Sequence, residues 1–93
     1  MNLEHNRVRM KLSLTYSAYR EMEQIFGPPL REIGEAILDL VEDPLPHGSR
    51  ILKGRGGCFT LPIDGYSILY HFDERDDALT VLGVVDSQIE TLH

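Results

Sequence analysis

A chain of 93 residues with 42% hydrophobic content suits one domain, residues 1–93, with a single core, and its composition argues against disorder. Its net charge of −6 disfavours a dedicated nucleic-acid binder, because phosphate contacts usually give such proteins a basic balance. The sequence has no apolar run of roughly 20 residues, no signal-peptide pattern and one cysteine, which together predict a cytoplasmic protein without membrane contact.

The first predicted element is a half-buried strand with a basic outer face. Its apolar positions are Val8, Met10, Leu12 and Leu14, and the alternating positions are Arg7, Arg9, Lys11 and Ser13. A period of two places the two sets on opposite faces of the strand. A second basic segment contains Arg50, Lys53 and Arg55. The two segments indicate either a local cationic strip or two solvated faces.

A helical hairpin is predicted next. Thr15 or Ser17 can cap the first helix, and Gly27-Pro28-Pro29 ends it, with Pro29 suited to the first turn of the second helix. The apolar positions are Tyr16, Tyr19, Met22 and Phe26 in the first helix, and Leu30, Ile33, Ile37, Leu40 and Val41 in the second. Asp43-Pro44 ends the second helix, because the residue before proline avoids the helical region.

Residues 49–85 read as a strand, a glycine-rich break and two consecutive β-hairpins. Asp64-Gly65 between two apolar runs predicts a type I′ turn, because both of its positions need positive φ. Counting outward from this turn gives an apolar face with the pairs Ile63–Tyr66, Leu61–Ile68 and Phe59–Tyr70, and an opposite face with Pro62–Ser67, Thr60–Leu69 and Cys58–His71. The second hairpin closes over residues 74–77 and predicts the pairs Phe72–Leu79, Tyr70–Val81, Ile68–Gly83 and Tyr66–Val85.

These elements predict a two-layer α+β fold in the order β-α-α-β-β-β, with the helical hairpin packed on one face of a mainly antiparallel four-stranded sheet. The opposite face is open or is covered by the C-terminal tail through Ile89 and Leu92. Pro62 lacks a backbone donor, so its strand is expected near an edge of the sheet or at a bulge.

The open face carries two candidate chemistries. Cys58 opposite His71 is a candidate thiolate–imidazole pair, and His71 alone is a candidate general base, although a small buried thiol beside a surface histidine is the simpler interpretation. The histidines and Cys58 lack the close spacing of metal ligands, so neither a metal nor a cofactor is predicted. An apolar patch on the same face, formed by Pro62, Leu69, Leu82 and Val84, predicts a surface for a protein partner.

Several segments resemble the RelE/ParE superfamily of bacterial toxin–antitoxin proteins over nearly the whole chain. Asp43-Pro44, Gly48 and Ile51-Leu52-Lys53-Gly54 resemble the stretch that precedes the family's hairpin. The hairpin of residues 59–70, with Asp64-Gly65-Tyr66, and the run Val81-Leu82-Gly83-Val84 resemble its last three strands. The family's outward arginines are replaced by Thr60, Pro62 and Ser67.

This resemblance implies either a ribosome-associated messenger-RNA endonuclease or a DNA-gyrase poison, each neutralised by an antitoxin-like protein partner. A catalytically silent binding module with the same fold is the alternative, and a homodimer is left open. The resemblance assigns nucleic-acid contact to Arg50, Lys53 and Arg55, and His71, Lys53 and Arg55 are the candidate catalytic residues.

Overall fold

The computed structural model describes residues 10–87, which form two helices and a five-stranded sheet. The elements in chain order are β1 (Lys11–Leu14), α1 (Tyr16–Glu23), α2 (Pro28–Glu42), β2 (Arg50–Ile51), β3 (Cys58–Ile63), β4 (Tyr66–Asp73) and β5 (Ala78–Asp86). The strands lie in the order β1-β5-β4-β3-β2, with β1 parallel to β5 and every other pair antiparallel. The predicted two-layer α+β fold is confirmed.

The fifth strand is the one difference in strand count. The extended segment before the glycine-rich break pairs with β3 as β2, through Arg50 opposite Thr60 and Ile51 opposite Phe59. This short edge strand leaves Pro62 beyond the paired stretch, where its missing backbone N–H costs no ladder hydrogen bond. The predicted position of Pro62 near an edge therefore agrees with the structure.

Both helix boundaries follow from local chemistry. Thr15 is the N-cap of α1, where its hydroxyl oxygen accepts a hydrogen bond from the Ala18 amide at 3.1 Å. The helix α2 has prolines at its first two positions, where an unpaired N–H is expected in any case, and it ends at Asp43 before Pro44.

The prediction for the buried side of the first helix is wrong for its three aromatic residues, whereas Met22 packs against the core as predicted. Tyr16, Tyr19 and Phe26 are 73%, 53% and 81% exposed, whereas Ala18 and Ile25 are buried. The helix packs most closely on β5, and the small Ala18 side chain allows this approach. Tyr16 and Tyr19 therefore lie on the solvent side of α1, and Phe26 lies beyond the end of the helix at Glu23.

The core lies between the helices and one face of the sheet. The apolar stripe predicted for α2 contributes Ile33, Ile37 and Leu40, together with Ala36. The sheet contributes Ile68, Tyr70, Leu79, Val81 and Val84. Complete burial of one such aliphatic side chain stabilises the fold by about 1.5–3 kcal/mol.

Tyr70 connects this core to the loop that follows α2. Its ring is buried and stacks on Phe59 with centroids 5.6 Å apart, and its hydroxyl donates to the Pro44 carbonyl at 2.7 Å. Burial raises the pKa of the Tyr70 phenol above its ordinary value, which keeps the donor protonated. The contact fixes the start of the loop that leads to β2.

The register of the first hairpin is confirmed at all of its predicted pairs, from Cys58–His71 to Ile63–Tyr66. The second hairpin is confirmed at Phe72–Leu79 and Tyr70–Val81. Beyond these pairs the register shifts, because Leu82 is an extra residue between the partners of Tyr70 and Leu69. The predicted pairs Ile68–Gly83 and Tyr66–Val85 are therefore wrong, and Ile68 pairs with Val84.

Side chains of Thr15 and α1 provide hydrogen-bond partners to the backbone of β5 beyond Val81, where its pairing with β1 ends. The Val84 amide donates to the Glu21 carboxylate at 2.7 Å, and the Thr15 hydroxyl donates to the Leu82 carbonyl at 3.0 Å. A Cβ at Gly83 would lie 3.2 Å from the same Glu21 oxygen, so glycine suits this close approach.

Two sequence predictions fall on parts of the chain that lie outside the described residues. These are the residues of the first strand before Met10, including Arg7 and Arg9, and the tail with Ile89 and Leu92. Within residues 10–87, neither helix has the length and hydropathy that a membrane crossing requires.

Candidate functional site

The sheet face opposite the helices, here called the open face, carries the candidate residues. Directly paired residues on neighbouring strands share a face, so the pairs Ser13–Thr80, Thr80–His71 and His71–Cys58 form one row across four strands. The hydroxyl oxygens of Ser13 and Thr80 lie 3.3 Å apart, so these two side chains are on the same face of the sheet. A second row runs from Leu69 through Thr60 to Arg50.

The glycine-rich segment of residues 52–57, here called the cationic turn, joins β2 to β3. The Arg55 amide donates to the Leu52 carbonyl at 3.2 Å, the Cys58 amide to the Arg55 carbonyl at 3.0 Å, and the Leu52 amide to the Cys58 carbonyl at 2.9 Å. Gly54 and Gly57 take left-handed conformations with φ of +81° and +75°. The glycine-rich break that the sequence predicts here is a turn whose backbone is held by these hydrogen bonds.

Three predicted nucleic-acid contacts lie in or next to this turn. Arg50 is exposed on the open face opposite Thr60, and Lys53 and Arg55 are exposed in the turn itself. Within residues 10–87, none of the three forms an ion pair. Exposed cations without carboxylate partners are available to phosphate oxygens, which makes this corner a suitable part of the described surface for an anion.

His71 lies next to this turn. Its imidazole contacts the backbone of Gly57, because a Cβ built on Gly57 would lie 2.7 Å from the His71 Nε2 atom. The Phe72 amide donates to the Gly57 carbonyl at 2.9 Å, which continues the pairing of β3 with β4 into the turn. The tertiary structure therefore places His71 against Gly57, at the end of the turn that carries Lys53 and Arg55.

The predicted Cys58–His71 pairing is confirmed as a register, with Cys58 buried and His71 half-buried. Cys58 does not belong to the core between the sheet and the helices. Its thiol is enclosed on the open side, which fits the simpler interpretation of a small buried thiol beside a histidine. Within residues 10–87, no group of three or more histidine, cysteine or acidic side chains is placed to hold a metal ion.

The predicted partner patch requires one correction. Val84 lies in the core, 3% exposed and opposite Ile68, because the bulge at Leu82 moves it to the helix side of the sheet. Pro62 is exposed, and Leu69 and Leu82 are half-buried. Val85 takes the position opposite Ser67 on the open face. The patch therefore consists of Pro62, Leu69, Leu82 and Val85.

Sequence reasoning missed two residues that shape this face. Thr15 and Glu21 bind the backbone of β5 at Leu82 and Val84, although their sequence context indicates only a helix start and a polar helix position. The isolated Gly83 inside a strand pattern was the available signal, since such a glycine often marks a bulge or a close backbone approach.

Comparison with known proteins identifies the fold. The sequence matches no protein-family model and no curated protein. The structure is similar to the archaeal RelE–RelB complex from Pyrococcus horikoshii, with a TM-score of 0.74 and 15% identity over 83% of this chain and 93% of that one.

Two further solved structures are similar to this chain. The toxin–antitoxin complex RelBE2 from Mycobacterium tuberculosis has a TM-score of 0.69 and 25% identity, covering 83% of this chain and 96% of that one. The YoeB/ParE toxin from Agrobacterium tumefaciens has a TM-score of 0.72 and 21% identity, covering 83% of this chain and 98% of that one. The chain therefore has the fold of the RelE/ParE toxins, as the resemblance of its sequence predicts.

Proposed function

We propose that this chain is the toxin component of a cytoplasmic toxin–antitoxin pair and acts on ribosome-associated messenger RNA. The observation that carries the proposal is the cationic turn, which holds Lys53 and Arg55, both exposed and without an ion pair within residues 10–87, and whose Gly57 lies against the His71 imidazole. The likeness to RelE and YoeB/ParE structures supports the toxin role.

The arrangement suits cleavage of an RNA strand at a phosphodiester. Lys53 and Arg55 contact the phosphate and stabilise the negative charge that develops on its oxygens. His71 takes the proton of the attacking 2′-hydroxyl, whose oxygen bonds to phosphorus as the bond to the 5′-oxygen breaks. The departing 5′-oxygen takes a proton from water. Cleavage then depends on one imidazole and two cations rather than on the arginines that the family carries on the hairpin.

The partner in this proposal is an antitoxin-like protein that binds the patch of Pro62, Leu69, Leu82 and Val85. Apolar side chains bordered by the hydroxyls of Thr60 and Ser67 are typical of a protein-binding surface. The net charge of −6 favours a partner segment with a basic balance. An extended or helical segment across this face would also cover Arg50 in the neighbouring row.

A second candidate function has its own supporting observation. The outward positions of the β3–β4 hairpin are Thr60, Pro62, Ser67 and Leu69, and none of them is a cation. A sheet face with this composition suits a silent binding module, or an action on DNA gyrase that needs binding without bond cleavage. In that case the protein binds its partner through the apolar patch alone, and the cationic turn has no role in its function.

Controlled expression in a bacterium separates these functions. Growth, messenger-RNA 5′ ends and gyrase-dependent DNA breaks are followed for the wild type, for His71→Ala and for the double variant Lys53→Ala/Arg55→Ala. Growth arrest with new messenger-RNA ends, lost in both variants but retained in Arg75→Ala, supports the nuclease. Arg75 is the control because it is an exposed cation on the other hairpin.

The other outcomes contradict the nuclease. Arrest with DNA breaks and unchanged messenger RNA assigns the activity to gyrase. Normal growth with abundant, folded protein supports the silent binding module. Co-purification with the product of an adjacent short gene then tests whether the binding partner exists.

A further inference from the structure

The position of the His71 imidazole depends on a glycine that is not its sequence neighbour. A Cβ at residue 57 would lie 2.7 Å from His71 Nε2 and 3.1 Å from His71 Cδ2, both closer than ordinary van der Waals contact. The imidazole therefore occupies the space that any side chain at residue 57 would need.

The backbone on the glycine side of this contact is held in place. The Gly57 carbonyl accepts from the Phe72 amide at 2.9 Å, and the Cys58 amide donates to the Arg55 carbonyl at 3.0 Å. The imidazole, by contrast, is the end of a rotatable side chain. If a methyl group were added at residue 57, the ring of His71 would move and the strand pairing would remain.

We propose that Gly57 is a positioning residue that seats the His71 imidazole against the cationic turn. The missing Cβ lets the ring lie over the backbone of the turn that carries Lys53 and Arg55, so that the imidazole and the two cations border one site. The consequence for activity rests on the proposed function, whereas the seat itself is a property of the free protein.

The turn contains a matched control for this proposal. Gly54 has φ of +81°, close to the +75° of Gly57, so an alanine at either position carries a similar backbone strain. A Cβ at Gly54 would meet nothing within 4 Å. Gly54→Ala therefore adds the strain alone, and Gly57→Ala adds the strain and the collision with His71.

The first measurement is nuclear magnetic resonance of the full chain in three forms: wild type, Gly54→Ala and Gly57→Ala. We expect cross-relaxation between the His71 ring protons and the α protons of Gly57 in the wild type and in Gly54→Ala. In Gly57→Ala this signal is lost and the His71 ring shifts change, while the amide signals of Phe72 and Cys58 stay protected. Persistence of the ring contact with residue 57 in Gly57→Ala overturns the proposal.

A double-mutant cycle covers the outcome in which Gly57→Ala is poorly folded. In the His71→Ala background the collision partner is absent, so Gly57→Ala should lower Tm by the same amount as Gly54→Ala does. An equal loss of Tm from Gly57→Ala with and without His71 would show that Gly57 is required only for its backbone conformation. The proposal that it positions His71 would then be wrong.

The activity measurement is kept separate. In the growth assay we expect Gly57→Ala to lose as much messenger-RNA cleavage as His71→Ala, and Gly65→Ala, which carries a similar backbone strain outside the cationic turn, to retain it. If the wild type cleaves no messenger RNA, the proposed function fails. The ring contact and the Tm cycle then decide by themselves whether Gly57 positions the His71 ring. Full cleavage by Gly57→Ala with a displaced ring would overturn the role of the seat in the reaction.

Discussion

The two turns at the ends of β3 both contain a glycine with positive φ, but the two glycines are required for different reasons. Gly65, in the Asp64-Gly65 turn, has φ of +83°, and a Cβ there would meet nothing within 4 Å. Gly57, in the cationic turn, has φ of +75°, and a Cβ there would collide with His71. The first glycine is set by the backbone alone, and the second also by a side chain on the neighbouring strand.

The two ends also differ in charge. The cationic turn carries Lys53 and Arg55, which form no ion pair within residues 10–87, whereas the turn at the other end carries Asp64. Near the Asp64 end, the open face presents Pro62 and Val85 beside Ser67. The two turns of β3 therefore differ in charge, and the acidic β4–β5 turn of residues 74–77 lies at the same end of the sheet as the cationic turn.

The largest expected effect comes from removing the two cations of the cationic turn. Lys53→Ala/Arg55→Ala should weaken the binding of single-stranded RNA by about 10-fold or more, and it should reduce the slope of log affinity against log salt by about 1.4, since each phosphate contact on a single strand contributes about 0.7. Fluorescence anisotropy with an RNA oligonucleotide at several salt concentrations measures both. The Arg75→Ala variant should bind as the wild type does, and an unchanged slope in the double variant would contradict a phosphate-binding turn.

The next effect concerns the bulge that places Val85 on the open face near the Asp64 end. Glu21→Ala leaves the part-buried Val84 amide without its acceptor, and such a loss costs about 1–3 kcal/mol of unfolding free energy. Urea denaturation measures this loss. Glu21→Gln retains an acceptor oxygen and should lose less. Glu23→Ala removes an exposed carboxylate two residues along α1, which pairs only with the exposed Arg20 among residues 10–87, and should stay within about 0.5 kcal/mol. Equal losses for the three variants would show that the bulge does not depend on Glu21.

A smaller effect is expected at Gly65. Gly65→Ala must adopt a left-handed conformation in open space, which costs about 1–2 kcal/mol, and Gly65→Asn should cost less because asparagine tolerates this region. Thermal unfolding monitored by circular dichroism measures both variants. Because nothing but the backbone is involved, RNA binding should remain at the wild-type level, and a loss of binding in Gly65→Ala would remove the contrast between the two turns.

The smallest effect concerns the hydroxyl pairs on the open face. Ser67 and Ser87 have their hydroxyl oxygens 3.2 Å apart near the Asp64 end, and Ser13 and Thr80 form a similar pair in the His71 row at 3.3 Å. Ser67→Ala and Ser13→Ala should each cost about 0.5–1.5 kcal/mol, which urea denaturation resolves only with replicate measurements. A clearly larger cost for one of them would identify that pair as structural rather than incidental.

Local signals in the sequence were sufficient for most of the fold. The Asp64-Gly65 turn fixed the register of six strand pairs, because a slip by one residue would turn Ile68 and Tyr70 away from the core. The cap at Thr15 and the prolines of α2 gave the helix starts. The stripe of α1 was misread, since helical spacing of Tyr16 and Tyr19 does not reveal which side of the helix faces the sheet.

The candidate site was predictable as a set of residues but not as an arrangement. Lys53, Arg55 and His71 were selected from residue type and a family resemblance, and the pairing of Cys58 with His71 followed from the hairpin. The contact of His71 with Gly57 could not be predicted from the sequence. It depends on the side-chain conformation of His71 over a turn whose shape comes from its own hydrogen bonds.

The sequence by itself determined the elements, the α+β class and the face of each residue up to Tyr70–Val81, because turns, caps and apolar periodicity act over a few neighbouring residues. Only the tertiary structure decided the rest of β5. There, the bulge at Leu82 places Val84 in the core, and Thr15 and Glu21, which are more than 60 positions away in the chain, bind the backbone at Leu82 and Val84. Such long-range hydrogen bonds are set by how α1 packs on the sheet, and no local pattern encodes that packing.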